Sequence, residues 1–259
     1  DGSQSTGYDR LINTPWIAAT WQFNPQTMAY ASYGEGVESV VAPGRSRYTN
    51  AGQPLPALKS RQTEVGVKSA GDALRWNVTW FNVVRPLWGD AGSCDLPGTC
   101  TRLEDGSVRN QGIELGVGYS SGPWRLGASA TWLQAQRQDS AINPDLNGRR
   151  PTNVPDLIVR ANGVYRVAGV PGLSLLGTVS YEGGRAVLPD ESITLPAWTR
   201  VDLGLSYETR IMGQPNTWSL TVDNVANRRY LKESPYQYGH VYLFPGAPRV
   251  VRLAVQTAF

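Results

Sequence analysis

The chain has 259 residues, of which 41% are hydrophobic and 17% are charged, with a formal net charge of +3. This length allows one large domain or two ordinary ones. The small net charge and the dispersed Lys and Arg residues give no footprint of a nucleic-acid-binding protein. No run of 18 apolar residues occurs, which excludes a transmembrane helix, and the first ten residues do not resemble a signal peptide.

The composition is rich in large aromatic residues and in glycine. The chain has 9 Trp, 12 Tyr and 28 Gly, but only 4 Phe and 2 Met. Aromatic residues favour pleated sheets, and many glycines indicate many turns. The composition therefore predicts an all-β protein.

Apolar residues alternate with small or polar residues along the chain, with the period of two that a strand requires. The clearest segment is RVDLGLSYE, in which Val201, Leu203 and Leu205 share one face with Tyr207. The closing segment VRLAVQTAF alternates in the same way up to Phe259. Eleven such segments begin near Trp16, Thr27, Thr63, Ala73, Gln111, Trp124, Asp156, Leu173, Arg200, Thr217 and Arg249.

Two architectures fit this alternation. In a soluble sandwich the apolar face forms the interior, whereas in a transmembrane antiparallel β-barrel it meets lipid and the polar face lines the lumen. Trp124 and Trp132, at the two ends of one apolar row, favour the barrel, because amphipathic rings suit a membrane interface. Short and long connections also alternate, as an outer-membrane barrel requires. The long connections, expected outside the cell, are 36–60, 84–109, 137–155, 184–199 and 228–248.

The two cysteines, Cys94 and Cys100, lie six residues apart in CDLPGTC, around a Pro-Gly turn. This spacing suits a small loop closed by a disulfide in an oxidising compartment. Two free thiols are the alternative. A metal pair is less favoured, because no histidine or second cysteine pair lies nearby to complete a tetrahedral site.

An odd number of strands conflicts with a complete barrel. Single-chain bacterial barrels have an even number of strands, and lipid leaves no place for an open edge. Either one strand lacks a clear alternating pattern, or the chain is part of a longer polypeptide whose earlier strands precede Asp1. We expect the second.

Seven motifs, in the same order, resemble those of TonB-dependent outer-membrane receptors of the siderophore branch. TVDNVANRRY is similar to their penultimate strand, and GAPRVVRLAVQTAF to their closing strand. The upstream motifs are AYASYGEG, SRQTEVGVKS, NQGIELGVG, GRRPTNVPD and LPAWTRVDLGLSY. The resemblance covers nearly the whole chain, and the shared order makes it specific.

The resemblance implies that residues 1–259 are the last eleven strands of a 22-stranded barrel in the bacterial outer membrane, a single incomplete domain without its plug. It implies a receptor, not an enzyme, which binds a ferric siderophore and imports it with energy from the TonB complex, acting through the missing plug. Iron then arrives as part of the ligand, and no covalently bound cofactor or resident metal is expected. Phe259 resembles the signal read by the barrel assembly machinery, and outer-membrane lipid is the remaining partner.

Cationic and aromatic residues of the long connections are the candidates for siderophore binding, through charge-assisted hydrogen bonds and stacking. His240 is the only histidine, and no GxSxG elbow accompanies it, which disfavours a hydrolase triad. The candidates are Trp88, Arg149, Arg150, Arg185, Trp198, Tyr236, Tyr238, His240, Tyr242 and Phe244, with Arg45, Arg47 and Tyr48 as further loop residues.

Other functions stay open. Haem ranks lower because only one histidine is available, and calcium-assisted cobalamin binding would need clustered loop carboxylates, which DLPGTCTRLEDG offers weakly. A sugar is a further ligand of this receptor class. A passive pore is a different class of function, since Arg75, Arg125, Arg160 and Arg252 are predicted to face a polar lumen.

Overall fold

The structure, a computed structural model, describes residue 9, residues 11–237 and residues 239–257. Tyr238 and Phe259, both singled out in the sequence, lie outside the described residues. Within the described part, the regular structure is β except for one short 3-10 helix, Pro144–Leu146. No helix in those ranges has the length and apolar character needed to cross a lipid bilayer.

The strands follow one another with short and long connections in alternation. In chain order they are β1 (Trp16–Asn24), β2 (Thr27–Glu38), β3 (Leu58–Ala70), β4 (Leu74–Gly92), β5 (Cys100–Ser121), β6 (Trp124–Gln138), β7 (Leu157–Arg166), β8 (Leu173–Glu182), β9 (Arg185–Ala186), β10 (Thr194–Leu195), β11 (Trp198–Ile211), β12 (Gln214–Asp223), β13 (Leu231–Glu233), β14 (Tyr236–Gln237), β15 (His240–Val241), β16 (Phe244–Pro245) and β17 (Val250–Thr257).

One antiparallel sheet of eleven strands contains all the long strands, which confirms the predicted number of strands. Its strand order is β1-β2-β3-β4-β5-β6-β7-β8-β11-β12-β17, so each long strand pairs with the long strands next to it in the sequence. The remaining strands are short pairs within the connections: β9 with β10, β13 with β16, and β14 with β15. In such a meander each strand contacts mainly the strands before and after it in the sequence, and no connection crosses over the sheet.

The hairpin of β4 and β5 differs from the loop expected over residues 84–109. Both strands continue beyond the predicted boundaries, and their pairing extends to Gly92 opposite Cys100. A register shift between Pro86 and Trp88 interrupts the ladder. The alternation of apolar and polar residues fails in this region because the hairpin rises beyond the apolar band, so the sequence pattern hides a strand that the backbone still forms.

The large apolar side chains of the sheet are exposed rather than packed into a core. Leu203 and Leu253 have relative exposures of 51% and 70%, and they lie on the face that we call the outer face. Most of the apolar residues that are buried belong to the connections and strand ends, including Tyr48, Leu195 and Trp198. An apolar face with no protein layer over it, among the residues described, fits a barrel wall in lipid and not a sandwich.

The opposite face, the inner face, carries small and polar side chains. Asp202 and Arg252 lie on this face, as the alternation predicts. The Tyr30 hydroxyl is 2.8 Å from that of Thr79, and the Tyr30 ring lies over Gly66 of the neighbouring strand, where a Cβ would come within 2.6 Å of it. Lys68 completes this patch, with its ammonium 5.6 Å from the centre of the Tyr30 ring. On the inner face, side chains of neighbouring strands are therefore in direct polar and packing contact.

Candidate ligand-binding site at the loop end of the sheet

All five long connections lie at one end of the sheet, because consecutive strands are antiparallel and the short turns occupy the other end. We call these the loop end and the turn end. The long connections comprise residues 39–57, 93–99, 139–156, 183–197 and 224–249. The described candidates for ligand binding therefore meet at the loop end, although they are spread over 200 positions of the chain.

The first connection is fastened to the β4–β5 hairpin through Tyr48, which is almost fully buried. Its hydroxyl donates a hydrogen bond to Asp90 at 2.9 Å and accepts one from Arg102 at 3.0 Å. Arg102 also pairs with Asp90, at 2.6 Å. The guanidinium groups of Arg47 and Arg102 lie 5.1 and 5.6 Å from the centre of the Tyr48 ring. These contacts assign Tyr48 to the loop framework.

The backbone strengthens this attachment next to a disulfide. Tyr48 forms a parallel bridge with Cys100, and the Thr49 N–H donates to the Cys100 carbonyl at 2.7 Å. Cys100 is bonded to Cys94, as the spacing of CDLPGTC predicts. The two sulfurs are thus unavailable to a metal, although Asp90 lies close to both. The disulfide closes the hairpin tip against which the first connection rests.

Arg185 and Trp198, two of the predicted ligand residues, are each only 4% exposed. The Arg185 guanidinium pairs with Glu182, which also pairs with Arg160 from β7. Arg160 lies on the inner face, 5.7 Å from the Trp198 ring, and Trp198 in turn stacks on Tyr230 with 4.5 Å between ring centroids. This cluster of cations, carboxylate and rings supports the wall at the loop end.

Asn153 joins three long connections at the edge of this cluster. Its side-chain oxygen accepts hydrogen bonds from the Arg185 guanidinium at 3.3 Å and from the Ser234 N–H at 2.8 Å. Its own N–H donates to the Ala186 carbonyl at 2.8 Å. Asn153 has a φ of +62°, in the left-handed region that asparagine tolerates better than most residues. Asn153, the last asparagine of GRRPTNVPD, thus holds three long connections together.

The motif TVDNVANRRY forms the base of the last connection. The Asn224 side chain, which is buried, donates to the carbonyls of Arg228 and Ala247 at 2.9 and 3.0 Å and accepts the Arg228 N–H. The motif's Tyr230 lies against Gly246 of GAPR, where a Cβ would come within 2.1 Å of the ring. The two motifs at the end of the chain are therefore in contact and close the same loop.

Arg149 and Arg150 lie beside the acidic residues of the next connection. Arg150 donates its backbone N–H to Glu191, and its Nε is 3.9 Å from the same carboxylate. The Ser192 hydroxyl and N–H donate to Asp190 and lower the pKa of that carboxyl, and Arg149 contributes in the same direction. Of this pair, Arg149 is the more exposed.

Exposed aromatic residues project from the last connection. A small hairpin of β14 and β15 places Tyr236 opposite Val241, and Phe244 belongs to the stem formed by β13 and β16. Tyr236, Tyr242 and Phe244 are 38%, 45% and 51% exposed, and His240 is also exposed. Together with Arg149, these are the candidates that are open to solvent.

Trp88 lies deeper, beside residues that the sequence did not single out. It lines a cavity of about 60 Å³ with Arg137 and Asp105. Asp105 accepts hydrogen bonds from the Ser140 hydroxyl at 2.5 Å and from the Ala141 N–H at 2.7 Å, which fixes the start of the third long connection. Arg137 and Tyr230 fall within the predicted long connections but were not among the candidates, and Arg160 was predicted only to face the lumen. The contacts of Trp198 with Arg160 and Tyr230 join residues far apart in the chain, and no spacing in the sequence signals them.

Comparisons with known proteins agree with this architecture. The family model described as "TonB dependent receptor-like, beta-barrel" matches residues 1–227. The ferrichrome receptor FcuA of Yersinia enterocolitica is 33% identical over 236 residues, which are 88% of this chain and 30% of that receptor. The chain therefore spans less than a third of the length of this relative.

Two solved structures show the same fold. The ferric preacinetobactin receptor BauA of Acinetobacter baumannii has a TM-score of 0.80 at 24% identity, over 94% of this chain and 36% of that one. The ferric yersiniabactin uptake receptor FyuA of Yersinia pestis has a TM-score of 0.75 at 16% identity, over 94% and 37%. The chain belongs to the TonB-dependent receptor family and is part of its outer-membrane β-barrel.

Proposed function

We propose that this barrel segment serves a receptor that binds a ferric siderophore outside the cell and imports it with energy from the TonB system. The observation that carries the proposal is the 33% identity to a ferrichrome receptor along 88% of the chain. Cations and aromatic rings concentrated at the loop end support it, because both types suit a polar metal chelate. A ferric chelate of the ferrichrome type is the first ligand to test.

The ligand contacts that we propose come first from the exposed aromatic residues of the last connection. Tyr236, Tyr242 and Phe244 offer rings for stacking, with His240 and Tyr238 as further members of the same connection. Arg149 and Arg150 of the neighbouring connection, which lie beside Asp190 and Glu191, would hold the chelate by charge-assisted hydrogen bonds.

The buried candidates act differently in this proposal. Arg185 and Trp198 would position the wall of the site, since Glu182 and Tyr230 already occupy their polar and aromatic contacts. Trp88 would support the β4–β5 hairpin. A receptor of this kind needs no covalently bound cofactor, because iron enters with the ligand. The TonB complex would act through a plug, and the closing strand with Phe259 would engage the assembly machinery.

Quenching of tryptophan fluorescence in the full-length protein, purified in detergent, tests the function. We expect saturable quenching by ferric ferrichrome and none by the iron-free chelate, haem or cobalamin. A variant with Tyr242→Ala and Phe244→Ala should bind at least tenfold more weakly, whereas Met212→Ala, an exposed residue of the turn end, is the matched control. Saturable quenching by haem, cobalamin or a sugar would identify that molecule, and not a ferric siderophore, as the ligand. Ion conductance without binding of any chelate would indicate a passive pore.

A further inference from the structure

A small cavity, of about 60 Å³, lies at the loop end, between the β4–β5 hairpin and the third long connection. Trp88, Gly89 and Asp105 line it from the hairpin, and Arg137, next to the last residue of β6, lines it from the other side. A water molecule occupies about 30 Å³ in the liquid, so the cavity has room for one or two particles of that size. It suits a single small ion or a water molecule, and it is far too small for a chelate.

Contacts between the third connection and the sheet hold the walls of this cavity in place. Asp105 accepts three hydrogen bonds from residues 140–142, so both of its carboxylate oxygens face the third connection. Gly89 lies so close to Ile142 that an added Cβ would come within 2.7 Å of the isoleucine side chain. Arg137 donates its backbone N–H to the Arg149 carbonyl at 2.9 Å. The cavity is therefore enclosed by backbone that hydrogen bonds and packing fix on both sides.

Two buried donors at the cavity have no acceptor within the part of the chain that the structure describes. They are the indole N–H of Trp88 and the Nε–H of Arg137. Indole and guanidinium groups can only donate hydrogen bonds. Buried polar groups in proteins nearly always have a partner, and an exception calls for an ordered water or ion. We therefore expect an occupant that accepts a hydrogen bond from each of the two donors.

The charge of Arg137 favours an anion over a water molecule as that occupant. No carboxylate in the described ranges forms an ion pair with Arg137. Asp105 is the acid among the described lining residues, and its oxygens are taken up by residues 140–142. A cation that is removed from water without a counter-charge is costly. A water molecule would satisfy both donors but would leave this charge unbalanced.

We propose that the cavity binds one monatomic anion, chloride under ordinary conditions, through the Trp88 N–H and the Arg137 guanidinium. The negative charge of Asp105 opposes an anion, so the ion lies on the Arg137 side of the cavity. Ser107 and Gln138, which also line the cavity, offer further donors. The ion ties the β4–β5 hairpin to the end of β6 and to the start of the third connection. The proposal does not depend on which ligand the receptor imports.

Hydrogen exchange in the full-length protein in detergent tests the proposal, with chloride, bromide and gluconate as probes at equal ionic strength. Gluconate is too large for the cavity. For a Kd of about 50 mM, about 150 mM halide should slow exchange at the Ala141 and Ile142 amides about fourfold relative to gluconate, since binding favours the closed state by 1 + [L]/Kd. Arg137→Gln should abolish this dependence, and Trp88→Phe, which keeps a ring but removes the N–H, should weaken it. Crystals grown in bromide should show its anomalous signal beside Arg137.

Arg125→Gln is the matched control, because Arg125 is an exposed arginine on the same strand and the same face as Arg137. This variant should keep the full halide dependence. Equal exchange in all three anions, or full halide dependence in Arg137→Gln, would overturn the proposal. A bromide signal without slower exchange would indicate an adventitious ion only and would overturn it as well. Circular dichroism shows whether the variants keep their sheet, and if Arg137→Gln fails to fold, Trp88→Phe and the comparison of the three anions decide.

Discussion

The hydroxyl of Tyr48 lies 2.9 Å from the carboxylate of Asp90, although 42 residues separate the two in the sequence. Together with Arg102, this contact fixes the first long connection to the β4–β5 hairpin. The loop end of this barrel segment thus has a fixed part, around Tyr48 and Asn153, and an exposed aromatic part, around Tyr242. The division separates buried framework residues from residues that are open to solvent.

Replacing Tyr48 by Phe removes the three hydrogen bonds of the hydroxyl, with Asp90, Arg102 and Arg47, but keeps the ring beside the two arginines. Hydrogen bonds to charged groups contribute about 1.5 to 3 kcal/mol when partly buried. We expect faster hydrogen exchange at the Thr49 and Cys100 amides, with no change in the membrane-spanning strands. Tyr236→Phe, at the exposed tip of the last connection, is the control. Unchanged exchange in Tyr48→Phe would show that the ring alone holds the loop.

Replacing Cys94 and Cys100 by Ser opens a closed loop of seven residues. The chain-entropy estimate for such a loop is about 2 kcal/mol, and the effect should stay local because the hairpin tip is not part of the spanning sheet. We expect easier proteolysis between residues 93 and 99 and an unchanged thermal midpoint of the barrel. A drop in that midpoint by several degrees would contradict a local role.

Glu182→Gln leaves the Arg185 guanidinium buried without its carboxylate. Breaking a buried ion pair from one side costs about 3 to 5 kcal/mol, so we expect a clearly lower thermal midpoint for the protein in detergent. The variant with Glu182→Gln and Arg185→Gln should recover part of the loss. The control is Glu233→Gln, because its pair with Lys232 is exposed and such pairs contribute at most about 1 kcal/mol. Equal effects of Glu182→Gln and Glu233→Gln would refute the role of the buried cluster.

Leu253→Arg tests which face of the closing strand meets lipid. A charged residue near the bilayer midplane on the lipid side costs about 2 to 4 kcal/mol. Arg252→Gln, on the inner face, loses one partly exposed pair with Asp223 at 2.6 Å, and should cost at most about 1 kcal/mol. Equilibrium unfolding in lipid vesicles measures both. If the two variants cost the same, the assignment of the outer face fails.

Long alternating segments made the fold predictable. RVDLGLSYE reads as a strand because each residue alternates between lipid and lumen, and neither environment tolerates the other's side chains. The ends of β4 and β5 were not predictable in this way, since the hairpin continues past the apolar rows of the sheet and apolar residues no longer alternate with polar ones there. Residues such as Pro86 and Gly89 are then acceptable within a paired strand, and the period of two disappears.

The candidate site was predictable only in its residue types. In a sequence, the candidates are all loop residues of types that suit a chelate, and nothing distinguishes Arg185 and Trp198 from Tyr242 and Phe244. The structure separates them, because Glu182 and Tyr230 enclose the first two while the others stay exposed. The partners of the buried residues come from other strands and connections, and no spacing along the chain predicts these contacts.

The sequence by itself determined the class of architecture, the eleven strands of the sheet and the family, and it favoured the disulfide. Alternation and the short cysteine spacing are local properties of the chain, and the ordered motifs recur along nearly its whole length. Only the tertiary structure decided which loop residues are framework and which are accessible. That division depends on contacts between strands and connections that lie far apart in the chain, such as those of Trp198 with Arg160 and Tyr230.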